Sequence, residues 1–264
     1  EKFLILLYLI HKTFNFYSKN FITLTYDQYF DERMIEIEKF NVMEVSKNLI
    51  LPKETARRKI ITLIKTKHLR KGEKNRLIWE PSSEFKDTYV KIIDQEITAL
   101  SKFIFEQGKF LFLNLPLSKI QKEIRINYSF YWYHYLNVQL EYIKFWHDKL
   151  KDLEMLLIGL QVIIQTLNYL KRKTTDISSL LNNKNIKNIS TREANISATS
   201  VSDITGIPRA TCIRKLDKFV KMKILNKDEK TKRYYLSLNQ TTFNPMLQPE
   251  WMKHKISILS NFSS

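Results

Sequence analysis

Residues 201–236 read VSDITGIPRATCIRKLDKFVKMKILNKDEKTKRYYL, and this stretch decides the fold. Ser200–Thr205 has the length of a short helix, Gly206 supplies a tight turn, and Pro208 carries the fixed φ that suits a first helical turn. Beyond it Ile213, Leu216, Phe219 and Val220 recur at helical spacing, with Arg209, Thr211, Arg214, Lys215 and Lys218 on other faces. Ile224–Asn226 and Arg233–Leu236 flank a charged tip, Lys227–Lys232, and predict a two-stranded hairpin. The order is helix, turn, amphipathic helix, hairpin.

The same order recurs earlier in the chain. Setting Pro52 against Pro208, an offset of 156, pairs Val45 with Val201, Ser46 with Ser202, Thr55 with Thr211, Arg58 with Arg214 and Lys59 with Lys215. Apolar Leu51, Ile60, Leu63 and Ile64 then meet Ile207, Leu216, Phe219 and Val220. The first copy reads as a helix near Met43–Asn48, a helix Pro52–Lys65, and strands His68–Arg70 and Arg76–Trp79 around the tip Lys71–Asn75. Ile50 stands where Gly206 does, which leaves the geometry of that turn open. Upstream, at an offset of 153, Glu1, Ile5, Leu7, Ile10, Thr13 and Asn15 align with Glu154, Ile158, Leu160, Ile163, Thr166 and Asn168, so each half opens on an apolar helix. We expect a first module over 1–82, a helical linker over 83–153, a second module over 154–240 with a flexible insertion at 181–199, and a tail over 241–264.

Through Gly206, Ile207, Pro208, Arg209, Thr211, Arg214, Leu216 and Val220, residues 201–236 resemble the winged helix-turn-helix of bacterial transcriptional regulators, especially the MarR and IclR groups. Met43–Trp79 resembles it as well. The resemblance implies a mainly α fold with small β-wings, in which tandem winged helix-turn-helix modules are joined by a helical linker. It also implies double-stranded DNA as the partner, with recognition helices reaching base edges and wing tips holding the phosphate backbone. The residues placed to do so are Arg209, Thr211, Arg214, Lys215 and Lys218 on the second recognition helix and Lys230, Lys232 and Arg233 on its wing. In the first copy the residues so placed are Lys53, Thr55, Arg57, Arg58 and Lys59, with Lys74 and Arg76 on the wing.

Charge points the same way. The 264 residues carry 44 Lys and Arg against 27 Asp and Glu, a net +17. Residues 42–79 hold 11 basic and 3 acidic side chains, and residues 198–236 hold 10 and 4, so the two segments account for +14 of that excess. Clustered cations of this kind bind polyanions with counterion release. At 44% hydrophobic and 12% aromatic residues the chain is too apolar for a disordered basic tail, and its four glycines argue against phosphate-cradling loops.

Cys212 is the single cysteine, which excludes an intrachain disulfide and a cysteine zinc cluster and points to the cytoplasm. It reads as a buried structural thiol, with a redox sensor as the alternative. His11, His68, His134, His147 and His254 lack metal-ligand spacing, and no nucleotide-binding loop or nucleophile motif occurs. The expectation is a protein without catalytic residues, metal or cofactor. Phe3–Ile10 is too short for a bilayer, and Met155–Leu170, which contains Gln161 and Gln165, reads as a buried helix, so no membrane partner is expected. The aromatic run Tyr128–Trp146 suits packing between modules or subunits, including a homodimer through these central helices, with a small-molecule pocket or base stacking as alternatives. The functional expectation is a sequence-specific DNA-binding protein acting as a transcriptional regulator. A plasmid-type replication initiator with tandem winged helices, or a non-catalytic interaction protein, are the alternatives.

Overall fold

Asn41 and Ser197, 156 residues apart, begin matching runs of structure in the computed structural model, which describes residues 1–31, 35–37, 41–73, 77–79, 83–110, 115–173 and 190–237. The chain is mainly helical with a few short strands. It divides into two units, Glu1–Tyr142 and Ile143–Ser260.

The first unit contains α1 (Lys2–Lys19), α2 (Tyr26–Asp31), β1 (Ile35–Ile37), α3 (Val42–Leu49), α4 (Lys53–Lys65), β2 (Leu69–Lys71), β3 (Leu77–Trp79), α5 (Ser83–Phe110) and α6 (Leu117–Ile126). The boundary between units falls within α7 (Tyr128–Leu150). The second unit continues with α8 (Leu153–Lys173), a 3-10 turn (Arg192–Ala194), α9 (Ala198–Thr205), α10 (Arg209–Lys221), β4 (Leu225–Lys227) and β5 (Tyr234–Leu236). β3 lies between β1 and β2, antiparallel to both, with Trp79 opposite Ile35 and Leu69. β4 and β5 are antiparallel, with Lys227 opposite Tyr234.

Local chemistry repeats residue for residue. The Asn41 side chain accepts from the Met43 N–H at 2.9 Å, and Ser197 Oγ accepts from the Ser200 N–H at 3.0 Å, so both short helices start on a side-chain cap. Ser46 Oγ donates to Leu51 O at 2.6 Å, and its counterpart Ser202 Oγ donates to Ile207 O at 2.7 Å. Pro52 and Pro208 share φ values of −54° and −52° ahead of 13-residue helices. Lys67 and Lys223 both turn left-handed, at φ 56° and 60°, before the first strand of each hairpin. The 156-residue register ends inside the hairpin: Leu77 and Tyr234 start the return strands 157 apart, so the second tip is one residue longer. The 153-residue register of the leading helices is also realised. Thr13 Oγ1 donates to Leu9 O at 3.4 Å and Thr166 Oγ1 to Val162 O at 2.9 Å, with both threonines buried.

The turn left open by the sequence has the same geometry in both copies. Ile50 adopts φ 53° and Gly206 φ 67°, each ending its helix in the left-handed region. A β-branched side chain there crowds its own backbone, at a cost of roughly 1–2 kcal/mol. Ile50 is 46% exposed and recovers little of this by burial. Ile50→Gly is therefore expected to stabilise the first unit by about 1 kcal/mol. Gly206→Ile has open space for its Cβ and is expected to destabilise the second unit by about 1–2 kcal/mol from φ alone. Urea unfolding of each variant checks the opposite signs.

The structure departs from expectation in three places. The strand Ile35–Ile37 was not anticipated; at three residues it is too short for a recognisable alternation. Residues 190–199 of the expected flexible insertion are ordered: Ala194, Ile196 and Ala198 are buried, Ile196 pairs with Tyr234, and Thr191 Oγ1 donates to Leu236 O. Three small or branched apolar residues at alternate positions suffice to pin the segment, although its composition is polar. Residues 181–189 and 241–264 lie outside the described residues.

Finally, α5, α6 and the first part of α7 group with the first unit instead of standing apart as a linker. Tyr128 is fully buried and packs its ring against Phe14, Tyr26, Tyr29 and Phe30. Ser129 Oγ accepts from the Leu24 N–H at 2.8 Å, and Arg125 pairs with Asp94 at 2.6 Å while lying over the Tyr26 ring. The start of the aromatic run thus builds the core of this unit.

Among the described residues, α8 is the one helix long and apolar enough to cross a bilayer. One face of it, with Met155, Ile158, Val162, Thr166 and Leu170, is buried, while Leu157, Ile164 and Leu167 are exposed, so the expected buried helix is buried on one side.

Candidate nucleic-acid interface

In the second unit, α10 is seated by the face it buries. Cys212, Lys215, Leu216 and Phe219 recur at helical spacing on that face. Phe219 packs over Gly159 of α8, where a Cβ would lie 3.0 Å from the ring tip, so the glycine permits this close approach. Cys212 is fully buried, its Sγ donates to Ile207 O at 3.4 Å, and burial pushes its thiol up from the ordinary range, away from the reactive thiolate.

Lys215, expected to touch DNA, is correspondingly withdrawn. It is 7% exposed, and its Nζ meets Asp152 at 2.5 Å and Glu154 at 3.0 Å at the start of α8. Its place four residues before Phe219 puts it on the inner face, so it ties the two helices together instead of facing solvent. Burial pushes the Asp152 carboxyl up, and its hydrogen bonds from Lys215 and the Met155 N–H outweigh that and leave it lowered. Lys59, the counterpart in the first unit, is half-buried and pairs with Glu1 at 3.1 Å. Glu1 and Glu154 are themselves matched at the 153-residue offset, so both units join the leading helix to the second helix of the pair by the same Lys–Glu bridge.

The opposite face of α10 is basic and open. Arg209, Arg214, Lys218 and Lys221 are exposed, and Ala210, Ile213, Arg214, Asp217, Lys218 and Lys221 line one shallow depression along the helix. Thr211 is half-buried. Arg209 Nε donates to Thr199 Oγ1 at 3.1 Å, which orients the guanidinium at the helix start. Lys221 and Lys223, exposed at and just beyond the helix end, extend this basic surface and were not among the expected contacts, although their charge was plain in the sequence.

The hairpin is held to this helix and shaped at its tip by two aspartates. Asp217 pairs with Lys227 at 2.7 Å and accepts from Tyr234 Oη at 2.9 Å, joining α10 to both strands. Asp228 is buried and accepts at Oδ1 from the backbone N–H groups of Thr231 (2.8 Å) and Lys230 (3.0 Å), while its Oδ2 takes Arg192 Nη2 at 2.6 Å. This is an Asx-type turn, and it leaves Lys230, Lys232 and Arg233 exposed at the tip, Lys232 at φ 56°. Arg233 Nη1 donates to Asn195 Oδ1 at 3.1 Å.

The Thr231 N–H and then the Arg192 guanidinium hold the Asp228 carboxyl well below its ordinary value of 3.8. A depressed carboxylate contributes order that is full above its unfolded pKa and is lost as pH falls through the folded one. Protection of the Thr231 amide from hydrogen exchange, corrected for intrinsic rate, is therefore expected to hold at neutral pH and decline only below the ordinary carboxylate range. Asp228→Asn should reduce protection at neutral pH and remove this acid dependence.

The first unit presents a thinner version. Lys53, Arg57 and Arg58 are exposed on α4 and Thr55 is half-buried. Arg57 is bridged to Glu54 at 2.8 Å, both side chains in solvent, so an acid occupies part of the face that is free of acid at the start of α10. Ile61 replaces Asp217 and is 38% exposed. Lys74 and Arg76, the expected wing contacts, lie outside the described residues.

What this arrangement offers chemically is a set of exposed cations on one helix and one hairpin tip, able to pair with and donate to the oxygens of a polyanion. Comparison adds no relative to the picture: no family model, no curated protein and no solved structure matches the chain.

Proposed function

We propose that the protein binds double-stranded DNA sequence-specifically through two winged helix-turn-helix modules, one in each unit, and that it acts as a regulator of transcription. The second module is the stronger reader. The observation that carries this reading is the sorting of basic side chains in the second unit: Lys215 is turned inward to a structural bridge, while Arg209, Arg214, Lys218 and the tip residues Lys230, Lys232 and Arg233 stay in solvent on the helix and wing that such a module lays on DNA. The Asp228 turn supports it, because it spends an acid on shaping a tip whose remaining charges are mostly cationic.

A second reading, replication initiation, is favoured by one feature. Two unlike reading heads in one chain suit recognition of asymmetric repeated sites without a two-fold axis, the manner of tandem winged-helix initiators. Selecting sites from random duplexes, then locating them in the genome, tests both. Promoter sites support regulation, tandem repeats in an AT-rich origin support initiation, and failure to enrich any duplex at low salt would sink DNA recognition. The affinity for a selected site is expected to fall linearly with salt on logarithmic axes.

A further inference from the structure

The internal repeat exposes a difference between the two leading helices. On the inner face the pairs Ile5 and Ile158, Leu9 and Val162, and Thr13 and Thr166 are all buried. On the outer face the correspondence breaks. Leu4 is 5% exposed and Phe14 fully buried, whereas their counterparts Leu157 and Leu167 are 47% and 40% exposed. His11 is half-buried against Tyr133, with ring centroids 5.3 Å apart, whereas its counterpart Ile164 is 47% exposed. In the first unit this face is covered by rings from α2 and α7: Phe14 stacks on Tyr29 at 5.1 Å and meets Tyr128 edge-on at 6.0 Å. In the second unit Leu157, half-buried Leu160, Ile164 and Leu167 form an apolar stripe facing solvent.

We propose that this stripe is a self-association surface, on which α8 of a second copy of the chain packs antiparallel. Two properties of the helix select that occupant. With Leu153 the stripe follows the alternating four- and three-residue steps of a helix–helix seam, 153, 157, 160, 164, 167. The helix also ends on three basic residues, Lys171, Arg172 and Lys173, whereas Glu154 at its start is already bridged to Lys215. An antiparallel pair sets Leu157 opposite the partner's Leu167 and Leu160 opposite the partner's Ile164, and keeps the basic end of each helix away from that of the other. A parallel pair would crowd two basic ends together. The surface is isologous, so it closes as a dimer. It is distinct from the aromatic residues of the first unit, and it does not depend on DNA binding.

The test uses the full chain without DNA. Light scattering over a range of concentrations is expected to give twice the chain mass at the upper end. Leu157→Glu with Ile164→Glu, both at exposed positions, should give the single-chain mass with unchanged helical circular dichroism. Orientation is read by cysteine crosslinking: Leu157→Cys and Leu167→Cys chains should form a disulfide when mixed, whereas either alone should not, since like positions would sit about 15 Å apart along the helices. Buried Cys212 does not compete. A wild-type chain that keeps its single mass at every concentration would overturn the proposal and leave the stripe to some other occupant. A double variant that still dimerises, or a Leu157→Cys chain that crosslinks to itself, would overturn it equally.

Discussion

Affinity for a selected duplex is expected to drop about 1000-fold at moderate salt when Arg209, Arg214 and Lys218 are all changed to glutamate. These three side chains are exposed on one helix whose other face is buried, so the reversal alters the surface without entering the core. Each lost phosphate contact removes close to one unit of the salt slope, and each added carboxylate repels the backbone besides. The slope of log affinity against log salt should therefore flatten along with the loss. Reversal of Lys53, Arg57 and Arg58 in the first unit is expected to cost less, about tenfold, because Arg57 already shares its charge with Glu54. That variant should also shorten the footprint at fixed stoichiometry. An unchanged footprint and affinity would mean that the first module does not read DNA; undiminished binding by the second-unit variant would remove the assigned interface.

The second large effect is on stability and concerns the lysine that only looked like a DNA contact. Lys215→Met is expected to destabilise the second unit by about 2 kcal/mol, below the cost of breaking a fully buried pair because Asp152 and Glu154 can rehydrate. Once normalised for folded protein, its DNA affinity and salt slope should match the wild type. Urea unfolding together with a salt titration separates the two readouts. Asp152 supplies the pH dependence of the bridge. Its carboxyl is lowered in the folded chain, so its contribution is complete above its unfolded value of 3.8 and is lost as pH falls through the folded one. If Lys215→Met lowered the salt slope while leaving stability intact, the bridge would be incidental and Lys215 would be a phosphate contact after all.

Much of the architecture was legible because it is written in short-range chemistry. Pro52 and Pro208, the serines four residues before the turns, and the apolar spacing of α4 and α10 act within a few residues of themselves, so their alignment at 156 carried the helix boundaries with it. Ile50 shows the limit of such reasoning. Its side chain left the geometry of the turn open, and the first unit makes the glycine-like turn, since the packing of two flanking helices outweighs a penalty of roughly 1–2 kcal/mol.

The sequence by itself determined two matching helix–turn–helix–hairpin segments, each opened by an apolar helix, with nearly all of the net charge gathered in them. Periodicity and charge count are properties of the chain alone. Tertiary structure decided which cations are available. Lys215 and Lys218 are three residues apart on one helix, and only the position of α8, with Asp152 and Glu154 at its start, turns the first into a buried bridge while the second stays in solvent. It likewise decided that the outer face of α1 is covered by Tyr29, Tyr128 and Tyr133 while Leu157, Ile164 and Leu167 on the matching face of α8 are exposed. Both helices are apolar and amphipathic, α1 being the richer in aromatic residues. The cover over α1 comes from segments as far along the chain as Tyr133, 122 residues beyond His11, a separation beyond the reach of any local pattern.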